Sequence, residues 1–284
     1  MGQLPACYYY LLRRSISESS REATWIRGKM KRKISTSLLI GIILVAFGII
    51  LVSYYLCEIL GNTEENATLR EAYTKGREIP NIDSKKAPNV QWYDEIKVDF
   101  KGLKETNPDV IGWITMDGVE ELSYPVLQGK NNDTYLRTNI YGQHSIAGCL
   151  FLETSNSSDL MDYHNIIYGH NMRTDAMFGS LKKFKDKNYY NTHQYFTVYT
   201  PERSFRYKIF AYQVVQPDSF IYTTGFQPGE DYQEFLDKII KNSDITSPVD
   251  MKSEYRTVTL STCTSDHVHR FVVHGVCVDT HKNT

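Results

Sequence analysis

The run Thr257-Val258-Thr259-Leu260-Ser261-Thr262-Cys263, followed after six residues by Arg270-Phe271-Val272-Val273-His274-Gly275-Val276, decides the fold. β-Branched residues dominate both runs and the segment between them is polar, so they read as adjacent antiparallel strands with Cys263 ending the first. If Cys263 faces Arg270 across this hairpin, Ser261 faces Val272 and Thr259 faces His274, with side chains about 5 Å apart on one face. An arginine is not a base at ordinary pH. Beside a sulfur its use is to hold negative charge, on a thiolate or on the oxyanion formed when a thiolate attacks a carbonyl.

The rest of the chain supplies the setting. Its 284 residues carry a net charge of −1, which allows one or two domains and gives no electrostatic sign of nucleic-acid binding. The 21 tyrosines suit a β-rich surface domain more than a helical bundle. Residues 34–57 hold no charge. As a helix they span roughly 36 Å, enough to cross a hydrocarbon core of about 30 Å. A cleaved secretory signal would have a shorter apolar region and a small-residue cleavage site, neither of which is seen. Lys29, Lys31, Arg32 and Lys33 precede the span and Glu58, Glu64 and Glu65 follow it, so the positive-inside rule puts the N-terminus in the cytoplasm and the large C-terminal portion outside. The expected organisation is a basic cytoplasmic tail over 1–33, a transmembrane signal anchor over 34–57, an extracellular linker and helix over 58–89, and a domain over 90–284. Met30 is the natural beginning of the anchor. Residues 1–29 read as an upstream extension, disordered where it is made.

Within the domain the pattern is mainly β. Strands are expected over 110–114, 124–127, 148–152, 165–168, 195–199 and 205–215, besides the final pair. Helices are expected over 62–75 around Leu69, Ala72 and Tyr73, over 177–185, and over 231–241 with Tyr232, Phe235, Leu236 and Ile239 as the apolar face. Residues 80–88 read as a polar linker. Trp92, Ile96, Phe100 and Leu103 predict one further amphipathic helix ending near Asn107-Pro108. Many short strands with few helices mean a β-barrel or a sandwich.

The run Thr-Leu-Ser-Thr-Cys with an arginine opening the next strand resembles the signature of the sortases, the cysteine transpeptidases of Gram-positive surfaces, and class B most closely. The similarity covers about residues 90–280. It implies a closed eight-stranded β-barrel with N-terminal helices and an inserted helix between the sixth and seventh strands, the places of the Trp92 and Asp231 helices. The family's catalytic histidine follows a strand in a context like Ile166-Ile167-Tyr168-Gly169-His170-Asn171-Met172, which selects His170 from eight histidines. By the same resemblance Asn132 and Leu136 are walls of the substrate groove, as are Tyr168 and Ser261. The connection from Cys263 to Arg270 departs from the pattern: it is slightly shorter than is common in class B and holds His267 and His269.

The chemistry these residues imply is nucleophilic. A cysteine with a free pKa near 8.5 gains thiolate population beside an imidazolium and a guanidinium. Cys263 attacks, and His170 supplies a proton to the departing amine. The resemblance implies a thioacyl-enzyme at the Thr carbonyl of an Asn-Pro-x-Thr-x or Leu-Pro-x-Thr-Gly-like motif. It also implies surface proteins with a C-terminal sorting signal as partners and transfer to an amine of a cell-wall precursor or a pilin. No cofactor and no metal is expected. Alternatives are a hydrolytic cysteine peptidase and a non-catalytic surface receptor. Cys263, His267, His269 and His274 would suit zinc in the latter, although no standard ligand spacing appears. Cys7 falls in the tail and Cys57 at the membrane edge. Cys149 and Cys277 lie in expected strands and can pair only if their Cα atoms come within about 7 Å. So few cysteines do not make a disulfide scaffold, and a free catalytic thiol is expected.

Overall fold

The computed structural model describes residues 35–76, 91–263 and 268–283, with Gly76 and Cys263 described at the backbone only. The expected tail, the linker over 80–88 and His267 lie outside these residues. The chain forms two compact units, one through Leu56 and one from Cys57 onward.

A single helix, α1, runs Thr36–Tyr73, whereas the sequence suggested an anchor and a separate helix. Asn62, Thr63 and Asn66 stand where a break was expected. Their side chains instead donate to the carbonyls of Glu58, Ile59 and Asn62, one helical turn back, so the polar residues are satisfied without ending the helix. The apolar part of α1 is long enough to cross a membrane.

The expected Trp92 helix is not one helix. After β1 (Thr74–Gly76), a single 3₁₀ turn covers Trp92–Asp94, and β2 (Ile96–Val98) pairs antiparallel with β1 before the short helix α2 (Phe100–Thr106) begins. Asp99 is the cause. Its Oδ1 accepts from the Gly102 backbone N–H at 3.0 Å, an N-cap that starts a helix at Phe100 and fixes an extended residue before it. The same apolar residues reach one cluster from both elements. Ile96, Val98 and Phe100 pack against Leu69, Leu103 and Trp113.

The strands that follow are β3 (Val110–Met116), β4 (Val119–Leu127), β5 (Leu150–Leu152), β6 (His164–Tyr168), β7 (Tyr195–Tyr199), β8 (Arg203–Val215), β9 (Thr257–Cys263) and β10 (Arg270–Lys282). They close into the expected eight-stranded barrel in the order β10-β8-β7-β3-β4-β5-β6-β9. The helix expected over 177–185 is a 3₁₀ segment, Gly179–Lys185, followed by the helix α3 (Lys187–Thr192), which Asp186 caps at the Asn188 N–H. Met177 itself has φ of +54° and cannot be helical. Helix α4 (Glu230–Lys241) lies between β8 and β9 in sequence, the place expected for the inserted helix.

Both faces of the β9–β10 region are buried, so polar Thr257, Thr259 and Ser261 on one face are as inaccessible as Val258 and Leu260 on the other. Val258, Leu260, Phe271 and Val273 belong to the cluster inside the barrel with Ile114, Phe196 and Tyr207. Val272 and Val276 face the other way, into a cluster with Tyr232, Phe235, Leu236 and Ile239 of α4. The hairpin register is the expected one: Cys263 opposite Arg270, Ser261 opposite Val272, Thr259 opposite His274.

Beneath α4 runs a buried polar chain. His164 Nδ1 lies 2.8 Å from the Thr223 carbonyl and its Nε2 lies 2.8 Å from Thr259 Oγ1. Thr259 Oγ1 lies 2.9 Å from His274 Nδ1, whose Nε2 meets Gln213 Nε2 at 3.2 Å. A carbonyl only accepts, so His164 donates from Nδ1 and its Nε2 accepts the Thr259 hydroxyl proton. Thr259 in turn accepts from His274, and His274 accepts from the Gln213 amide. Every partner is satisfied with both rings neutral, and a proton added to either would face a donor.

Burial pushes His164 down to about 4, and burial with the neighbouring His164 pushes His274 down to about 3. The unfolded chain therefore takes up protons that the folded one refuses. Stability should be fully present above pH 6.5 and should fall as pH drops toward 4, by about 1.4 kcal/mol per pH unit for each histidine. Denaturant unfolding from pH 8 to 4 measures it. His274→Gln should give a shallower slope, and an equal slope would mean these rings do not set the acid limit.

Candidate active site

The barrel places the chemistry through one parallel pairing. β6 and β9 run side by side with Tyr168 opposite Ser261, and the Gly169 N–H continues the ladder to the Ser261 carbonyl at 3.1 Å. His170 is two residues beyond Tyr168 and Cys263 two beyond Ser261, so both emerge from the same end of neighbouring strands. The antiparallel partner β10 begins at that end too, with Arg270 facing Cys263. A cleft of about 350 Å³ opens here, lined by Asn132, Leu136, Tyr168, His170, Ser261 and Arg270 among others. Six of the seven residues singled out in the sequence thus share one cavity, and the backbone of the seventh, Cys263, follows the lining residue Thr262.

His170 is held by its surroundings. Its Nε2 donates to the Leu136 carbonyl at 2.7 Å, which fixes the proton on Nε2 and leaves Nδ1 as the acceptor of the neutral ring. Burial lowers its pKa, the Leu136 carbonyl works in the opposite direction, and the charge of Arg137 lowers it further; the net direction is down. The following loop is tightly returned. The Phe178 N–H donates to the His170 carbonyl at 3.0 Å, and Asn171 bridges to Met177. Asp175 and Met177 both have positive φ, an uncommon state for residues with a Cβ, and Met177 is 2% exposed. Two anchors hold that shape. Asp175 pairs with Lys182 and Lys183 at 2.7 and 2.9 Å, and the Met177 N–H donates to the buried Tyr124 hydroxyl at 3.0 Å.

The opposite wall is built on Glu153, just after β5. Its Oε2 accepts from Asn132 Nδ2 at 2.8 Å and from the Tyr168 hydroxyl at 2.9 Å, while Oε1 accepts from the Ser155 N–H at 3.2 Å. Burial alone would raise this carboxyl, but the hydrogen bonds from Asn132, Tyr168 and Ser155 outweigh it and hold it below its ordinary range. The Tyr168 ring packs against Phe151 and Tyr222, and the Tyr222 hydroxyl is 3.0 Å from Ser261 Oγ. Arg270 donates to its neighbour's carbonyl, that of His269, at 3.1 Å.

A barrel of this order, with a histidine after one strand and a cysteine ending its parallel neighbour, can be compared with known proteins. The sortase domain family model matches residues 114–278. Sortase B of Listeria monocytogenes is 30% identical over 243 residues, covering 83% of this chain and 94% of that protein. The chain belongs to the class B sortases. Sortase B from Bacillus anthracis in complex with AAEK1 superimposes with a TM-score of 0.66 at 27% identity, over 79% of this chain and 99% of that one. A Staphylococcus aureus sortase B–substrate complex gives 0.60 at 30% identity, over 65% and 85%.

In this sortase the sequence reading missed Glu153 and Tyr222. A lone acidic residue after a short strand and a tyrosine ending the 3₁₀ turn Phe220–Tyr222 carry no periodic signal, and only the closed barrel brings them to Tyr168. The zinc reading loses His274, whose two ring nitrogens are engaged by Thr259 and Gln213 in the interior. Cys149 donates to the Thr138 carbonyl and Cys277 to the Asp279 carbonyl, so these thiols are free and separately engaged.

Tyr124→Phe removes the acceptor of the Met177 N–H and leaves that buried donor unpaired, a loss of about 1–3 kcal/mol. Unfolding by urea should show it, and hydrogen exchange at the Met177 amide should accelerate. Unchanged exchange there would mean that Tyr124 does not hold the His170 loop.

Proposed function

We propose that this class B sortase is a membrane-anchored cysteine transpeptidase. In this reading it cleaves the sorting motif of a surface protein at the Thr carbonyl and transfers the acyl group to an amine of the cell wall or a pilin on a Gram-positive surface. The observation that carries the reading is the cleft itself: Arg270 faces Cys263 in the hairpin, and His170 leaves the parallel strand at the same end. The Cys263 thiolate adds to the Thr carbonyl carbon and its electrons move onto the oxygen, where the Arg270 fork donates two hydrogen bonds. Collapse of this adduct expels the amine, which takes its proton from the His170 imidazolium, and leaves a thioester on Cys263. Burial makes that imidazolium a stronger acid at the cost of its population near neutral pH. An incoming amine attacks the thioester, gives a proton back to His170, and frees the thiolate. Asn132, Leu136, Tyr168 and Ser261 hold the peptide along the groove.

The apolar stretch of α1 through Leu56 supports the anchoring, and the lysine and arginine residues before it support a cytoplasmic N-terminus with an extracellular catalytic unit. A Staphylococcus aureus sortase B in complex with its substrate is among the similar structures, which supports peptide binding in this groove.

Three measurements test the proposal. Cys263→Ala in the full chain should form no acyl-enzyme with an Asn-Pro-x-Thr-x peptide, and retained turnover or labelling of Cys149 or Cys277 instead would remove the nucleophile. Mass spectrometry with and without an added amine separates transfer from hydrolysis. Arg270→Lys should lose about 10² to 10³ in rate, roughly 3–4 kcal/mol of barrier, because a flexible ammonium replaces a planar fork. A rate within about threefold of the parent, under 1 kcal/mol, would show that the arginine is not catalytic.

A further inference from the structure

The wall residue Asn132 has a side-chain amide whose hydrogen-bonding capacity is almost wholly accounted for. Its Oδ1 accepts from the Thr154 backbone N–H at 3.0 Å and from Thr154 Oγ1 at 2.6 Å. A backbone N–H can only donate, so the oxygen of the amide must be on that side and both of its lone pairs are used. The nitrogen carries two hydrogens, one of which goes to Glu153 Oε2 at 2.8 Å. One N–H donor remains. Tyr168 is constrained in the same sense: its hydroxyl hydrogen is committed to the same Glu153 oxygen at 2.9 Å, so its oxygen has only lone pairs left to offer. Thr154 therefore sets which way the Asn132 amide faces, and the Glu153 carboxylate takes one amide hydrogen and the Tyr168 hydroxyl hydrogen, which fixes what the two groove side chains have left to present. Ser155 adds donors on the other carboxylate oxygen from its N–H at 3.2 Å and its hydroxyl at 3.4 Å, which keeps the Glu153 rotamer fixed.

We propose that Glu153 is a positioning residue that sets the hydrogen-bond polarity of the substrate groove, holding Asn132 as a donor and Tyr168 as an acceptor toward the bound sorting peptide. The peptide it selects places a carbonyl or amide oxygen against Asn132 and an N–H or O–H against Tyr168. A Glu153 without its charge frees the Tyr168 hydroxyl hydrogen to turn toward the groove and weakens one of the three bonds that hold the Asn132 amide, whose oxygen stays on Thr154, and this costs binding before chemistry. The inference rests on the cleft's being the peptide groove of the proposed function.

The test uses the full chain in detergent micelles with an Asn-Pro-x-Thr-x peptide, reading kcat and KM separately beside thermal melts. Glu153→Ala should raise KM about tenfold, the worth of roughly one charge-assisted hydrogen bond, with a much smaller change in kcat. Glu153→Gln, which keeps the shape of the side chain, guards against a folding defect and should raise KM in the same direction. In an Asn132→Ala/Tyr168→Phe background the Glu153→Ala effect on KM should disappear, because the residues through which it acts are gone. Alkylation of Cys263 by a small thiol reagent should proceed at the parent rate in Glu153→Gln. An unchanged KM in both Glu153 variants overturns the proposal, as does a tenfold effect that persists in the double-variant background. If the parent itself cleaves no sorting peptide, the proposed function fails and this inference with it. If the parent cleaves and only the Glu153 variants behave as the parent, this inference alone fails.

Discussion

The site depends on the parallel pairing of β6 with β9. Most neighbours in the barrel are antiparallel, and an antiparallel pair would send the residues after Tyr168 and Cys263 to opposite ends. Parallel alignment requires a long crossover between the two strands, here occupied by β7, β8 and α4. That long connection costs loop entropy, but it brings a histidine and a cysteine 93 positions apart in the sequence to one edge. The antiparallel pairing of β9 with β10 then adds the arginine across only six intervening residues. Register is secure because both faces of these strands are buried, and a slip by one residue would exchange Val272 and Val273 between two different cores.

Around that edge the protein fixes its side chains with hydrogen bonds whose direction is set by obligate acceptors. The Leu136 carbonyl takes the Nε2 proton of His170, and Glu153 takes protons from Asn132 and Tyr168. The His164–Thr259–His274 chain is ordered in one direction behind β9. The Thr223 carbonyl that ends this chain follows Tyr222, which packs in the cleft, so the buried network and the groove share a backbone segment. A buried donor or acceptor left without its partner costs more than a single hydrogen bond gains, which is why such arrays specify one conformation.

Much of this was legible in the chain. Alternation and β-branching located all eight barrel strands, because each packs a continuous apolar face and the turn residues between them are unambiguous. The hairpin register followed from placing Cys263 at a strand end. The Trp92 region misled because Ile96, Phe100 and Leu103 fit a helical period and also a strand followed by a capped helix. Asp99 and the pairing with Thr74–Gly76 decide between them, and a strand pair so far apart in sequence leaves no local mark. Met177 misled for a different reason: a residue of good helical propensity occupies a left-handed backbone position because Tyr124 and the Phe178–His170 bond hold it there. Glu153 was invisible because its meaning lies in two side chains, Asn132 and Tyr168, delivered by other segments.

The helix that leaves the apolar stretch does more than carry the catalytic unit. Within that unit Glu58 accepts from the Ile146 N–H, Asn62 from the Ser145 hydroxyl and Glu65 from the Asn139 amide, while Arg70 reaches the Glu120 carbonyl. The first three hold residues 139–146, a few positions after Leu136, whose carbonyl accepts from His170, while Arg70 reaches β4. Polar residues 58–65 therefore brace the segment that follows the Leu136 carbonyl, the hydrogen-bond partner of His170. The boundary between the two compact units falls within α1, and a chain trimmed to the first barrel strand would lose the contacts that residues 58–65 make with the segment after Leu136.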